Sequence, residues 1–279
     1  MNLRCKQPFM VMELLSYSLF DVLKNRNFEG FSLNRIRRIG IQLFDALEFL
    51  KTLKIIHTDL KPENIVLTNS FTDDVKIIDF GQAVLINQFR QPIQTILYRA
   101  PEIFLDFKAD YSIDMWSIGC VLAELFTGSV LFHGGCMSAV KQFHAIVSYL
   151  GYPPKHLLDT SSQTKLYFTK LPNGTWCLPS LVNNFHSNYQ FKMVCSQAFR
   201  NYFEESRTSS TDSLEFLDFF NLLDKIIVYE DSKRLTPLEA MNHKFFKTTT
   251  MSQYDYNETS QEKKSKKRPK VIFKLSNSS

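Results

Sequence analysis

The stretch I-I-H-T-D-L-K-P-E-N-I-V-L, residues 55–67, decides the reading of this chain. It sets Asp59, Lys61 and Asn64 close together between two apolar runs. Those runs read as a helix end and a short strand, so a loop presents the three polar side chains with core on both sides. A lone Asp in a loop is more often a turn or cap residue than a base. The surroundings change that weighting. N-I-V-L and V-K-I-I-D are two short apolar runs separated by the polar turn T-N-S-F-T-D-D, the pattern of a hairpin. The hairpin carries the chain from Asn64 to Asp79-Phe80-Gly81 and returns it to the same loop.

Working outward, S-L-N-R-I-R-R-I-G-I-Q-L-F-D-A-L-E-F-L-K-T-L puts Leu33, Ile36, Ile39, Leu43, Leu47 and Leu50 at helical spacing, with Ser32 as N-cap. D-M-W-S-I-G-C-V-L-A-E-L-F-T-G is apolar on nearly all sides, which predicts a central helix begun by Asp114 and stopped by Gly128. L-E-F-L-D-F-F-N-L-L-D-K-I-I-V and T-P-L-E-A-M-N-H-K-F-F predict two further amphipathic helices, for about five or six long helices in all. F-M-V-M-E-L-L, residues 9–15, reads as a short buried strand. Residues 151–212 are irregular, with an Asn-Gly hairpin signal in L-P-N-G-T-W.

Composition narrows the class. The 279 residues are 44% apolar and 22% charged, ordinary for a soluble globular chain, and the 25 Phe suit a helical core. There is no apolar run long enough for a transmembrane helix, and no clear signal-peptide cleavage site. Five scattered Cys with no C-x-x-C argue for a reducing compartment without a disulfide framework or zinc site. Of the net charge of +5, +4 lies from Thr248 onward, which leaves no broad basic face for nucleic acid.

Residues 57–64 give H-x-D-x-K-x-x-N; Asp79-Phe80-Gly81 follows a strand, and Ala100-Pro101-Glu102 comes next. D-F-G alone is a weak signal, but the ordered set resembles the catalytic loop, metal-binding turn and end of the activation segment of protein kinases. The resemblance implies a kinase-like fold, here the C-terminal lobe only: mostly α, with a small β-hairpin at the catalytic site and the N-terminal β lobe absent. It implies transfer of the γ-phosphate of ATP to protein hydroxyls, with ATP and Mg²⁺ as cofactors. Asp59 would accept or orient the proton of the substrate hydroxyl, Lys61 would sit beside the transferred phosphate, and Asn64 and Asp79 would hold Mg²⁺. D-x-K-x-x-N is similar to Ser/Thr-directed members. His57 is implied to be structural. Asp114 reads locally as an N-cap; the family reading has its carboxylate tie the catalytic-loop backbone to the central helix. Glu102 would pair with Arg234.

E-L-L-S-Y-S-L-F-D-V-L-K-N-R-N-F-E-G-F-S-L and Y-F-T-K-L-P-N-G-T-W narrow the resemblance to the dual-specificity tyrosine-regulated (DYRK) kinases, in the CMGC group of cyclin-dependent-like kinases. Y-R-A-P-E, with Arg99, fits that group as part of the substrate-docking segment. By the same likeness Glu13 and Leu15 form the hinge that meets adenine, Met12 guards the back of that pocket and Val66 lies in its floor. Read without the family, Met12 and Val66 are simply core. Asp21 and Glu63 would form an acidic rim favouring an Arg in the peptide, with Arg- and Pro-containing protein sites as substrates. Thr58 departs from the Cys more usual in that family and from the Arg many kinases use to clasp a phosphorylated loop. Arg90-Gln91-Pro92 stands where the family carries its regulatory tyrosines.

The Gly-rich loop, strand Lys and helix Glu that complete the kinase set are not found. The nine glycines nowhere form G-x-G-x-x-G, and the twelve residues before Glu13 contain none. The expected organisation is therefore 1–15 as hinge and strand remnant, 16–247 as the C-terminal lobe with an insert at about 152–212, and 248–279 as a disordered basic tail. Two functions follow. One is a kinase whose chain is truncated here and inactive alone; the other is a kinase-lobe binding module or competitor, self-associating through the exposed face between lobes. The expected location is nucleus or cytoplasm: K-K-S-K-K-R-P-K, residues 263–270, reads either as a nuclear signal or as a solvated basic end.

Overall fold

The computed structural model describes residues 11–86, 88, 93–134, 138–179 and 212–247. Arg90-Gln91-Pro92, the tail 248–279 and its basic run lie outside them. The helices are α1 (Leu19–Asn25), α2 (Leu33–Thr52), α3 (Pro101–Phe104), α4 (Ser112–Thr127), α5 (Ala139–Leu150), α6 (Lys155–Thr160), α7 (Thr164–Tyr167), α8 (Asp212–Ile226) and α9 (Pro237–Met241). Among the described residues only α2, α4, α5 and α8 exceed seven residues, fewer long helices than the pattern suggested. The difference lies largely in T-P-L-E-A-M-N-H-K-F-F. It forms the short α9, then breaks at Asn242; His243 accepts the Phe245 N–H through Nδ1 (3.3 Å) and starts a separate 3-10 turn.

α4 runs through the hydrophobic core. Every residue from Ile113 to Leu125 is buried, whichever way its side chain points, as expected of a helix apolar all round. Trp116 stacks on Phe132 with ring centres 5.5 Å apart, and full burial of side chains of this size contributes about 1.5–3 kcal/mol each. The close crossing of α8 depends on Gly119, where an added Cβ would come within 2.7 Å of Ile226 Cγ2 and Ile227 Cδ1. Gly128 ends α4 in the left-handed region at φ 75°, a conformation that Gly adopts without a Cβ clash.

α2 buries the stripe read from the sequence: Leu33, Ile36, Ile39, Leu43, Leu47 and Leu50. Ser32 caps it by accepting the Arg35 N–H. Its polar edge fixes the hairpin that carries the site. That hairpin pairs β2 (Ile65–Leu67) with β3 (Val75–Ile77), antiparallel, with Ile65 opposite Ile77. Arg35 Nε lies 2.8 Å from Asp73 Oδ1 and Arg38 Nη2 2.6 Å from Asp73 Oδ2, at the hairpin turn. Gln42 donates to the Asp73 carbonyl (3.0 Å) and accepts the Val75 N–H (3.1 Å). A second pair, β1 (Ile55–Ile56) with β4 (Val84–Leu85), brackets the loop from the other side. The Asn-Gly signal is met by a hairpin of β5 (Thr169–Lys170) and β6 (Trp176–Cys177).

Residues 11–15 do not form the buried strand expected of them. They have no regular structure, and Val11, Met12 and Leu14 are 85%, 76% and 95% exposed. An apolar run becomes a strand only where another strand takes its backbone groups, and no described strand pairs with it. Pairing begins one residue later: Ser16 N–H donates to the Leu67 carbonyl and Leu67 N–H to the Tyr17 carbonyl, both 2.9 Å.

Candidate active site

The loop between β1 and β2 is held by buried polar groups. Asp114, on the first turn of α4, is no N-cap; its carboxylate reaches across to the loop. Oδ2 accepts the His57 N–H at 2.7 Å and Oδ1 the Thr58 N–H at 3.0 Å. Complete burial pushes the Asp114 carboxyl up to about 7, against the pull of those two donors. His57 is fully buried and holds the loop from within. Its Nδ1 accepts the Asp59 N–H (3.2 Å), which leaves Nε2 to donate to the Ile78 carbonyl (3.0 Å). Burial lowers its pKa, so the ring is neutral and structural, as its sequence context implied.

Asp59 is 3% exposed and four side chains donate to its carboxylate. Its Oδ1 accepts the Thr95 hydroxyl at 2.5 Å. Its Oδ2 accepts Lys61 Nζ at 2.8 Å, Asn64 Nδ2 at 3.2 Å and Gln82 Nε2 at 3.5 Å. Burial alone would raise the carboxyl; bonds from Lys61, Thr95 and Asn64, with the Lys61 charge, outweigh it and hold the group below its ordinary value. Lys61 Nζ also donates to Thr95 Oγ1 at 3.2 Å. An alcohol oxygen is thus already held between a carboxylate and an ammonium.

Asn64 ends the 3-10 turn Pro62–Asn64 and leads into β2. Both bonds of its amide nitrogen go to Asp59, one to the carbonyl at 2.8 Å, which turns Oδ1 away from that residue. Hairpin register brings Asp79 back to Asn64: the Ile78 N–H donates to the Asn64 carbonyl at 2.9 Å. Asp79 is exposed, sits in the left-handed region (φ 63°, ψ 71°) and opens a 3-10 turn, Phe80–Gln82. Its Oδ1 accepts the Gly81 N–H at 3.2 Å.

The remaining expected residues divide. Val66 is buried in β2 and pairs with Ser18. Glu13, exposed, forms an ion pair with Lys76 on β3, while Met12 stands out in solvent and Leu15 is half-buried. Asp21 and Glu63 are both exposed, on α1 and on the turn that α1 packs against; Asp21 also closes a capping box with Ser18. Arg99 is not gathered into the cluster. Its Nε and Nη2 donate to the Gln94 carbonyl (3.3 and 2.9 Å), and its guanidinium lies over Phe104 at 5.4 Å. It shapes the segment that presents Thr95.

Thr95 is the residue whose role the sequence did not disclose, because it meets Asp59 from 36 positions away. Glu124 is another. It accepts the Tyr98 hydroxyl at 2.7 Å inside α4, and burial, then the Glu63 charge, push its carboxyl up to about 7 against the Tyr98 bond. A folded-state value above the ordinary 4.5 means the fold favours the protonated form, so this contribution is lost as pH rises through that window. Glu124→Gln keeps an acceptor for Tyr98 without the charge. Its melting temperature is expected to exceed that of the parent at about pH 8, with the gap closing towards about pH 5. An equal gap at both would contradict it.

The model of the protein kinase domain matches residues 4–246. A probable serine/threonine-protein kinase, dyrk2, of Dictyostelium discoideum is 37% identical over 235 residues, 84% of this chain and 24% of that protein. Dual specificity tyrosine-phosphorylation-regulated kinase 4 of Homo sapiens is 37% identical over 235 residues, 84% of this chain and 42% of that protein. Serine/threonine-protein kinase ppk15 of Schizosaccharomyces pombe is 36% identical over 265 residues, 88% of this chain and 48% of that protein. The chain therefore spans less than half the length of these curated relatives. With the site's loop, hairpin and buried supports in the matched region, the chain belongs to the protein kinase family, among the dual-specificity tyrosine-regulated kinases of the CMGC group.

Proposed function

We propose that this chain supplies the substrate- and metal-holding lobe of a serine/threonine or dual-specificity protein kinase. The observation that carries the reading is the alcohol oxygen of Thr95 held between Asp59 and Lys61. A substrate hydroxyl needs the same two partners: an ionised acceptor for its proton and a cation beside the incoming phosphoryl group. A depressed pKa suits Asp59 to orienting that hydroxyl rather than to taking its proton early. In this role Lys61 neutralises charge on the phosphoryl oxygens as a point cation.

The donor set fits magnesium. Asn64 Oδ1 and the Asp79 carboxylate are hard oxygens at the open end of one hairpin, and no cluster of three or more His, Cys, Asp or Glu occurs among the described residues to suggest another metal. Mg²⁺ takes one or two protein oxygens and completes its shell with phosphates and water. When bound, it would neutralise phosphate charge. Asn64 and Asp79 would hold it, and the Asn64 bonds to Asp59 would keep metal site and hydroxyl site in fixed relation. Glu13 and Leu15 would offer backbone groups to adenine, with Met12 behind it and Val66 beneath. Asp21 and Glu63 would favour an Arg in the peptide, and the segment shaped by Arg99 would take a Pro-containing site.

The ATP-covering half of the site has no source in these 279 residues, since G-x-G-x-x-G does not occur. Positioning supplies most of the catalysis in phosphoryl transfer. On their own these residues are expected to bind ATP more weakly than micromolar and to transfer little phosphate. Titration of the purified chain with Mg-ATP by calorimetry tests this; a micromolar dissociation constant would overturn it.

A second reading, a binding module or competitor of a complete kinase, is favoured by one observation. A groove of about 310 Å³ is lined by Leu43, Ala46, Phe49, Leu50, Ile77 and Phe80 among others, with Phe49 62% and Phe80 46% exposed. An apolar surface of this kind invites association, including self-association. Sequence upstream of Met1 in frame separates the two: a Gly-rich loop and strand Lys there support the enzyme. The basic run 263–270 would direct either form to the nucleus.

A further inference from the structure

We propose that Thr58 is a positioning residue whose hydroxyl latches the turn bearing Asp79, a role that rests on reading Asp79 as a metal ligand. Thr58 is fully buried and sits at φ 65°. That region is rare and strained for a β-branched residue and persists only where the surroundings enforce it. Here they do. The Thr58 N–H is fixed by Asp114 Oδ1 at 3.0 Å, and Oγ1 donates to the Gln82 carbonyl at 2.7 Å. Strain is held at the point where the catalytic loop meets the metal-binding turn.

The bond matters because of what lies on either side of it. Asp79 is flanked by two carbonyls fixed by adjacent loop residues: Ile78 by His57 Nε2 at 3.0 Å, and Gln82 by Thr58. Between them the Phe80 ring meets the His57 ring edge-on at 4.8 Å. The Gln82 side chain answers by donating to Asp59 at 3.5 Å. Among the described residues the hydrogen bond of the Asp79 side chain is the short-range one from Gly81, so these clamps set the direction of its carboxylate. The Thr58 latch is uncharged: a hydroxyl and a carbonyl close it, and no phosphate is needed. The turn is therefore poised for metal without modification of the segment that follows it.

Thr58→Val keeps the β-branch and removes the donor; Thr58→Ser keeps the donor and removes the methyl. Backbone exchange with deuterium at Gly81 and Ala83 is expected to quicken about tenfold in Thr58→Val, the loss of one hydrogen bond. Thr58→Ser should stay within about twofold of the parent, and amides of α4 should be unchanged in both. The dissociation constant for Mn²⁺, read by paramagnetic broadening, should rise about tenfold in Thr58→Val alone. Unchanged exchange in Thr58→Val, or exchange in Thr58→Ser as fast as in Thr58→Val, would overturn the latch. Faster exchange with unchanged Mn²⁺ affinity would overturn its positioning role. Failure of the parent to bind Mn²⁺ at Asp79 would instead overturn the metal reading, and the exchange comparison still decides the latch.

Discussion

Arg234→Ala lowers the unfolding free energy by about 3–5 kcal/mol, the cost of leaving a buried charge unpaired. The Arg234 side chain is 0% exposed and that of Glu102 4%. Nη1 donates to Glu102 Oε1 at 2.6 Å and Nη2 to Oε2 at 3.1 Å. Each nitrogen also serves a carbonyl at 2.8 Å, Ser112 at the start of α4 and Val228 just after α8. Alanine takes a donor from four acceptors and leaves the buried Glu102 carboxylate without its cation, with the Ser112 hydroxyl at 3.4 Å still donating to Oε1. Arg234→Lys keeps the charge but not the fork, and is expected to fall between the two. Replacing both partners, Glu102→Gln with Arg234→Met, should cost less than Arg234→Ala alone, because no lone charge remains. Urea unfolding followed by circular dichroism measures all three. A loss below about 1 kcal/mol for Arg234→Ala would show the pair to be idle.

Asp114→Ala is the second large effect. It leaves the buried N–H groups of His57 and Thr58 without acceptors, at about 1–3 kcal/mol each. It also releases Thr58 from one of the bonds that enforce its left-handed backbone. The loss should therefore be largest around the site. Amides of residues 57–59 and 78–83 are expected to lose protection against exchange more than those of α2, whose supports lie elsewhere. A uniform loss along the chain would mean that Asp114 acts only as core.

Both effects concern residues whose importance the sequence conveyed through family likeness rather than local pattern. Asp114 looks like a helix cap, and nothing nearby announces that its partners are 56 and 57 positions away. Periodicity served better where one face or all faces of an element are buried: α2, α4 and α8 stand where apolar spacing put them, and the β2–β3 hairpin where two apolar runs flank a polar turn. It failed at residues 11–15, because an apolar run carries no information about whether a partner strand exists. It failed again at α9, where His243 acts as a cap that the apolar rhythm continues straight through. That Asp59, Lys61 and Asn64 meet, with the chain returned to Asp79 by the hairpin, was legible because spacing along a loop and a hairpin is local information. Thr95, Gln82 and the Thr58 latch were not, because contacts of hydroxyls and carbonyls across the fold leave no periodic trace.

We propose that the hairpin brings Asn64 and Asp79 to one cation beside Asp59. Paramagnetic Mn²⁺ added to the isotopically labelled chain tests it most directly. Broadening is predicted to centre on the Asn64 side-chain amide and the backbone amides of Asp79 to Gly81, and to vanish in Asp79→Ala. Broadening centred on Asp21 and Glu63 or on Asp73, or unchanged by Asp79→Ala, would contradict it.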